Sequence, residues 1–166
     1  MPSVTSLLIA FALVAASGAA TAADKDCADP RSHHFDFWIG NWEVLNANGT
    51  VAGRNRIDAI LDGCVLQEHW TGTSGSSGTS LNFFDTGTQK WRQFWVWREG
   101  TTLELEGGLV NGAMVLEGDS VEDSKPARNR ITWTDPPGDT VRQLWEISMD
   151  NGKTWKVLFD GTYHPG

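Results

Sequence analysis

A chain of 166 residues, 40% of them hydrophobic, is long enough for one domain with its own core. Its formal charge of −8 makes it a poor partner for nucleic acid or anionic lipid. No Walker loop, dinucleotide glycine fingerprint or Gly-x-Ser-x-Gly elbow occurs, so no cofactor is expected.

The chain begins with an apolar run, Leu7 to Val14, too short to span a bilayer, and then a small-x-small cleavage site at Ala20-Thr21-Ala22. Residues 1–22 therefore read as a secretory signal peptide, although Met1 to Ser6 has no Lys or Arg. Residues 23–166 are expected to form a single β-barrel domain, exported to the periplasm or the medium. Asp24-Lys25-Asp26 ahead of Cys27 argues against a lipid-anchored cysteine, and no later segment is apolar enough for a membrane span. In an oxidising compartment Cys27 and Cys64 should pair, the alternatives being a free buried pair or a reactive thiol. Closing a loop of about 38 residues would stabilise the fold by roughly 4 kcal/mol.

Arg31 to Trp38 has the makings of a short helical turn that plugs one end of the fold. Within it, His33, His34 and Asp36 are metal-ligating types, but adjacent histidines on an extended segment point apart, and no metal is expected. Strand-like segments follow at 41–47, 51–60, 64–71, 78–85, 90–97, 101–109, 113–119, 128–134, 140–148 and 154–163. Asn48-Gly49, Asn111-Gly112 and Asn151-Gly152 favour tight type I′ hairpins. Asp62-Gly63, Glu99-Gly100 and Pro137-Gly138 mark further turns. Strands this short and evenly spaced predict an all-β, about ten-stranded antiparallel up-and-down barrel. Thr73 to Gly78 is a Gly/Ser run, either a mouth loop or a plain surface connection, and Asp119 to Asn129, with Pro126, reads as an exposed connection. Ser148-x-Asp150-x-Gly152-x-Thr154-Trp155 matches the Asp-box hairpin pattern, a structural motif that occurs here once.

All nine tryptophans follow the expected signal peptide. On 90–97, Trp91, Gln93, Trp95 and Trp97 alternate with Lys90, Arg92, Phe94 and Val96, so the indole face should point inward. Val141, Gln143, Trp145 and Ile147 repeat the theme, as do Cys64, Leu66, Glu68 and Trp70. Asn82 and Tyr163 are expected to join this interior. The candidate ligand-binding set is therefore Glu68, Trp70, Asn82, Trp91, Gln93, Trp95, Trp97, Gln143, Trp145 and Tyr163. The same groups could equally satisfy one another in a filled core. A buried Glu68 would have a raised pKa unless a cation such as Arg92, Arg130 or Arg142 met it. A second carboxylate across strands, Asp85 or Asp160, would be needed for glycosidase-like chemistry.

Phe35-Asp36-Phe37-Trp38-Ile39-Gly40-Asn41-Trp42, Gly63-Cys64 with Glu68 and Trp70, and Ser80-Leu81-Asn82-Phe83-Phe84-Asp85 resemble segments of an uncharacterised family of bacterial exported proteins. Trp91-x-Gln93-x-Trp95-Val96, Val141-Arg142-Gln143-x-Trp145-Glu146 and Phe159-Asp160-Gly161-x-Tyr163 extend the resemblance over nearly all of residues 27–163. It implies a lipocalin-like or calycin-like barrel and brings no established activity. Trp97 stands where the resemblance leads one to expect Asp, which makes this interior more apolar. In lipocalins the Trp of Gly-x-Trp packs against an Arg from a late strand, here Arg142. Three functions remain open: binding of a small apolar, aromatic or sugar-like ligand, hydrolase or isomerase chemistry with Glu68 as general base, and a filled barrel that docks a partner. Apolar Phe94, Val96 and Leu144 on outer faces also suggest a homodimer contact.

Overall fold

The computed structural model describes Cys27 and residues 29–166; the expected signal peptide lies outside the described residues. Ten strands follow two short 3-10 turns at Pro30–His33 and Asp36–Trp38. They are β1 (Gly40–Asn46), β2 (Val51–Ile60), β3 (Val65–Gly72), β4 (Ser77–Asp85) and β5 (Lys90–Trp97), then β6 (Thr102–Val110), β7 (Ala113–Glu122), β8 (Lys125–Thr134), β9 (Val141–Ser148) and β10 (Lys156–Pro165). Each pairs antiparallel with its sequence neighbours, and β1 also pairs with β10, closing the barrel without an edge.

The strands form where period-2 alternation is strongest. On β2, Gly53, Asn55 and Ile57 are buried between exposed or half-buried Arg54, Arg56 and Asp58. On β8, Ala127, Asn129, Ile131 and Trp133 are buried in the same rhythm. Turn chemistry supplies the reversals, but less uniformly than the Asn-Gly pairs suggest. Asn111-Gly112, with φ of 50° and 84°, is a two-residue hairpin between paired Val110 and Ala113. Asn48-Gly49 is not of that type. The Gly49 amide donates to the Asn46 carbonyl and only Gly49 of the pair is left-handed, so the loop is a longer turn with a glycine bulge.

The expected exposed connection over 119–129 is in fact a hairpin. Left-handed Asp123 and Ser124 form its two-residue tip, and Glu122 pairs with Lys125. Pro126 is tolerated in β8 because the pairing with β9 begins only at Arg128, so no strand lies beyond it on that side. Between Ser148 and Lys156 the Asp-box holds a longer turn together. Asp150 accepts from the Thr154 amide at 2.8 Å and its hydroxyl at 2.6 Å, Gly152 donates to the Ser148 hydroxyl at 2.8 Å, and Arg130 lies 4.0 Å above the Trp155 ring. These bonds hold the Asp150 carboxyl low, at about 2.

The N-terminal turns plug one end as expected. Phe35 and Trp38 are fully buried, with Phe35 4.9 Å from Trp38, 5.0 Å from Trp133 and 5.6 Å from Trp91. Trp42 donates its indole N–H to the Trp38 carbonyl at 2.9 Å. Gly40 precedes it because the backbone there has φ of 151° and a Cβ would meet the Trp42 ring at 3.1 Å. Arg142 does not pack on Trp42: it lies outside the barrel and pairs with Asp160 at 2.8 Å. Cys27 and Cys64 form a disulfide with a Cα–Cα distance of 5.4 Å, tying the plug segment to the start of β3. Among the described residues no helix is long and apolar enough to cross a membrane.

Candidate functional site

Above the aromatic plug the barrel is not filled. A cavity of about 430 Å³ lies among β2, β3, β5, β9 and β10, and exposed Thr73, Ser74 and Leu158 on its border carry it to the surface. The Gly/Ser run thus lies at the mouth. The indole strips face inward because alternate residues of a strand point to opposite faces. Trp91 and Gln93 are buried while Lys90 and Phe94 are exposed. Of the expected set, Glu68, Trp70, Gln93, Trp95, Trp97, Gln143, Trp145 and Tyr163 border the cavity.

Two expected residues lie off it. Trp91 belongs to the plug, where its indole N–H donates to the Arg31 carbonyl at 3.0 Å. Asn82 is fully buried and acts as a support: its side-chain carbonyl accepts from Gln93 at 2.8 Å, and its amide donates to the Ser80 hydroxyl at 2.8 Å. Period 2 gives the face of a strand residue but not its depth along the barrel axis, which separates these two from the rest.

The walls are aromatic. Trp95 stands edge-on to Trp97 at 5.5 Å, Trp97 lies 6.1 Å from Trp145, and Trp70 meets Phe159 edge-on at 6.2 Å. Trp145 is fixed by donating to Asn129 Oδ1 at 2.9 Å. The Trp95 ring has room because Gly78 on β4 has no side chain; a Cβ there would come within 2.3 Å of the ring. Gly53 makes the same room for Trp70, where a Cβ would come within 2.8 Å of the indole. The Trp95 N–H is buried without a partner among the described residues.

The polar part of the cavity centres on Glu68, which is 5% exposed. Its Oε1 accepts from Asn55 Nδ2 at 2.7 Å and its Oε2 from the Ser80 hydroxyl at 2.6 Å. Tyr163 continues the network, donating to Gln143 Oε1 and lying 3.4 Å from the Asn55 amide. No cation meets Glu68 among the described residues. Arg92 pairs with Glu106 at 3.4 Å and Arg130 with Glu146 at 2.9 Å, both on the outer surface with Arg142. Burial pushes the Glu68 carboxyl up to about 7 against the opposing pull of Ser80 and Asn55. Burial likewise raises the Tyr163 phenol, with the nearby Glu68 charge adding to it.

Among the described residues, no second carboxylate borders the cavity. Asp160 is held outside by Arg142, and Asp85 caps its own turn by accepting from the Gly87 amide at 2.8 Å and the Thr88 hydroxyl at 2.8 Å. Glu68 therefore pairs with neither. His69, its chain neighbour, faces out toward Asp58 at 3.5 Å. His33 Nδ1 lies 2.8 Å from Asp36 Oδ2, and no group of three or more His, Cys, Asp or Glu side chains converges among the described residues.

Sequence reasoning missed Asn55, Phe159, Leu103 and Ile131 as neighbours of this space. All four were within reach of it: Asn55 alternates with Arg54 and Arg56 on β2, and Phe159 lies two pleats from Tyr163 on β10. No protein-family model matches the chain, and a comparison with curated proteins returns no match.

Proposed function

We propose that the protein is an exported binding protein that holds a small apolar or aromatic ligand in this cavity. The observation that carries the proposal is a space of about 430 Å³ walled by four indoles and Phe159, with Glu68, Gln93, Gln143 and Tyr163 as its convergent polar groups. Small-molecule sites have that size and that mixture of apolar wall and few polar anchors. The disulfide and the apolar N-terminal run followed by Ala20-Thr21-Ala22 support export. The resemblance to exported lipocalin-like barrels points the same way.

Trp95→Ala should weaken binding of a neutral fluorescent probe, N-phenyl-1-naphthylamine, by roughly tenfold, since one aromatic contact is worth about that much. Gln93→Ala should weaken it less, with thermal unfolding of both variants still cooperative. Unchanged affinity in both would remove this cavity as the site.

A second reading rests on Glu68 alone. A buried carboxyl titrating at about 7 is poised as a general base for hydrolysis or isomerisation. Activity found on an ester or enolisable ketone and fully kept in Glu68→Gln would exclude that role. The docking alternative has the outer cross-strand neighbours Leu81 and Phe94 in its favour, 41% and 40% exposed. A monomer mass that does not change with concentration would argue against a homodimer there.

A further inference from the structure

We infer that the cavity takes an organic cation: a small amine or quaternary ammonium carrying apolar groups, its charge beside Glu68 and its apolar part among the indoles. The inference rests on the binding reading above and names its ligand class. Among the described residues, Glu68 is the only charged one bordering the cavity, and no Lys, Arg or His borders it. A carboxylate taken out of water needs a counter-charge or a proton, and the described residues offer no cation: the nearby arginines are committed to outer carboxylates. Asn55 and Ser80 use one acceptor site on each carboxylate oxygen, which leaves further lone pairs for a ligand.

The walls fit the same charge. Indole and phenyl faces carry negative potential, and Trp70, Trp95, Trp97, Trp145 and Phe159 make the cavity lining rich in rings that can hold a cation over a face. An anionic ligand would meet Glu68 with nothing to neutralise it. The chain's charge of −8 raises the local concentration of cations further.

The pH dependence follows from the groups around Glu68. From β2 it faces Asn55 and Ile57, from β4 Ser80 and Asn82, and from β10 Tyr163, which stays neutral. The charged neighbours Arg56, Asp58 and His69 pair with one another on the outer surface. Glu68 is thus the group whose ionisation a bound cation favours. Affinity should rise with pH up to about 7 and level off above it.

Benzyltrimethylammonium and its uncharged carbon isostere neopentylbenzene test this by titration calorimetry at pH 5.5 and 8.5. The cation should bind at least tenfold tighter than the isostere at pH 8.5. Its affinity should fall by up to about thirtyfold at pH 5.5, the ratio of ionised Glu68 at the two pH values. At pH 6.5 its binding should release protons, seen as an enthalpy that changes with the buffer. Glu68→Gln should abolish the cation preference and the pH dependence. Equal affinity for the two probes at both pH values would overturn the cation inference and leave the binding cavity standing. No binding of either probe would overturn both. Wild-type cation affinity in Glu68→Gln, or a pH-independent wild type, would overturn the role of Glu68.

Discussion

The wild-type protein should lose about 3 kcal/mol of stability between pH 4.5 and 7, and Glu68→Gln should not show this loss. The folded-state pKa of Glu68 is raised from 4.5 to about 7, so between those values the native state binds a proton that the unfolded state has released. Stability therefore falls as pH rises through the window. The penalty is absent below 4.5, complete above about 7, and on the order of 2.5 pKa units at about 1.4 kcal/mol each. Carboxyls held low, such as Asp29 and Asp150 at about 2, act in the opposite sense, and their contribution is lost only as pH falls below about 4. The two regimes do not overlap. Urea unfolding at pH 5 and pH 8 measures the difference directly. A wild type equally stable at both, or a variant with the same slope, would show that Glu68 is not buried as a lone carboxyl.

Trp38→Ala should cost about 3–5 kcal/mol, because it empties the centre of the plug. Trp38 is fully buried, stacked on Phe35 at 4.9 Å, 5.4 Å from Trp133 and 6.3 Å from Tyr163. These neighbours come from three separate parts of the chain, so they cannot collapse into the void without moving strands. Trp97→Ala is the contrast. Trp97 is half-buried on the cavity wall, and its removal should cost about 1 kcal/mol or less, since the space it leaves joins space already open. Urea denaturation of the two variants reads both values. Similar costs for Trp38 and Trp97 would mean that the plug and the cavity wall are not different kinds of packing.

The contrast between those two tryptophans also marks what the sequence could tell. Both stand out by composition, and the alternation of Trp91, Gln93, Trp95 and Trp97 with Lys90, Arg92, Phe94 and Val96 assigns the inward face of β5 without any structure. The ten strands were legible for the same reason: a half-buried strand must repeat every two residues. Depth was not legible. Trp91 and Trp95 share a face, yet one packs against Phe35 in the plug and the other borders the cavity.

Whether the barrel is open depends on the summed volume of side chains from all ten strands and on their stagger, which no local pattern encodes. The same holds for the Asn55–Glu68–Ser80 bonds, which need the registers of β2, β3 and β4 at once. The hairpin at Asp123-Ser124 was hidden because neither residue is glycine, although both take the left-handed conformation. Pro126 made the segment look like a loop; its place in β8 depends on where β9 stops.

All three readings of the protein turn on whether the space above the plug holds a ligand. This can be tested by native mass spectrometry on protein purified gently from its native host, followed by denaturing mass on the same sample. An adduct should be present in the native spectrum, lost on denaturation, and absent or weaker in Trp95→Ala. A native mass equal to the bare disulfide-bonded chain, together with no adduct after incubation with benzyltrimethylammonium or N-phenyl-1-naphthylamine, would contradict the binding reading.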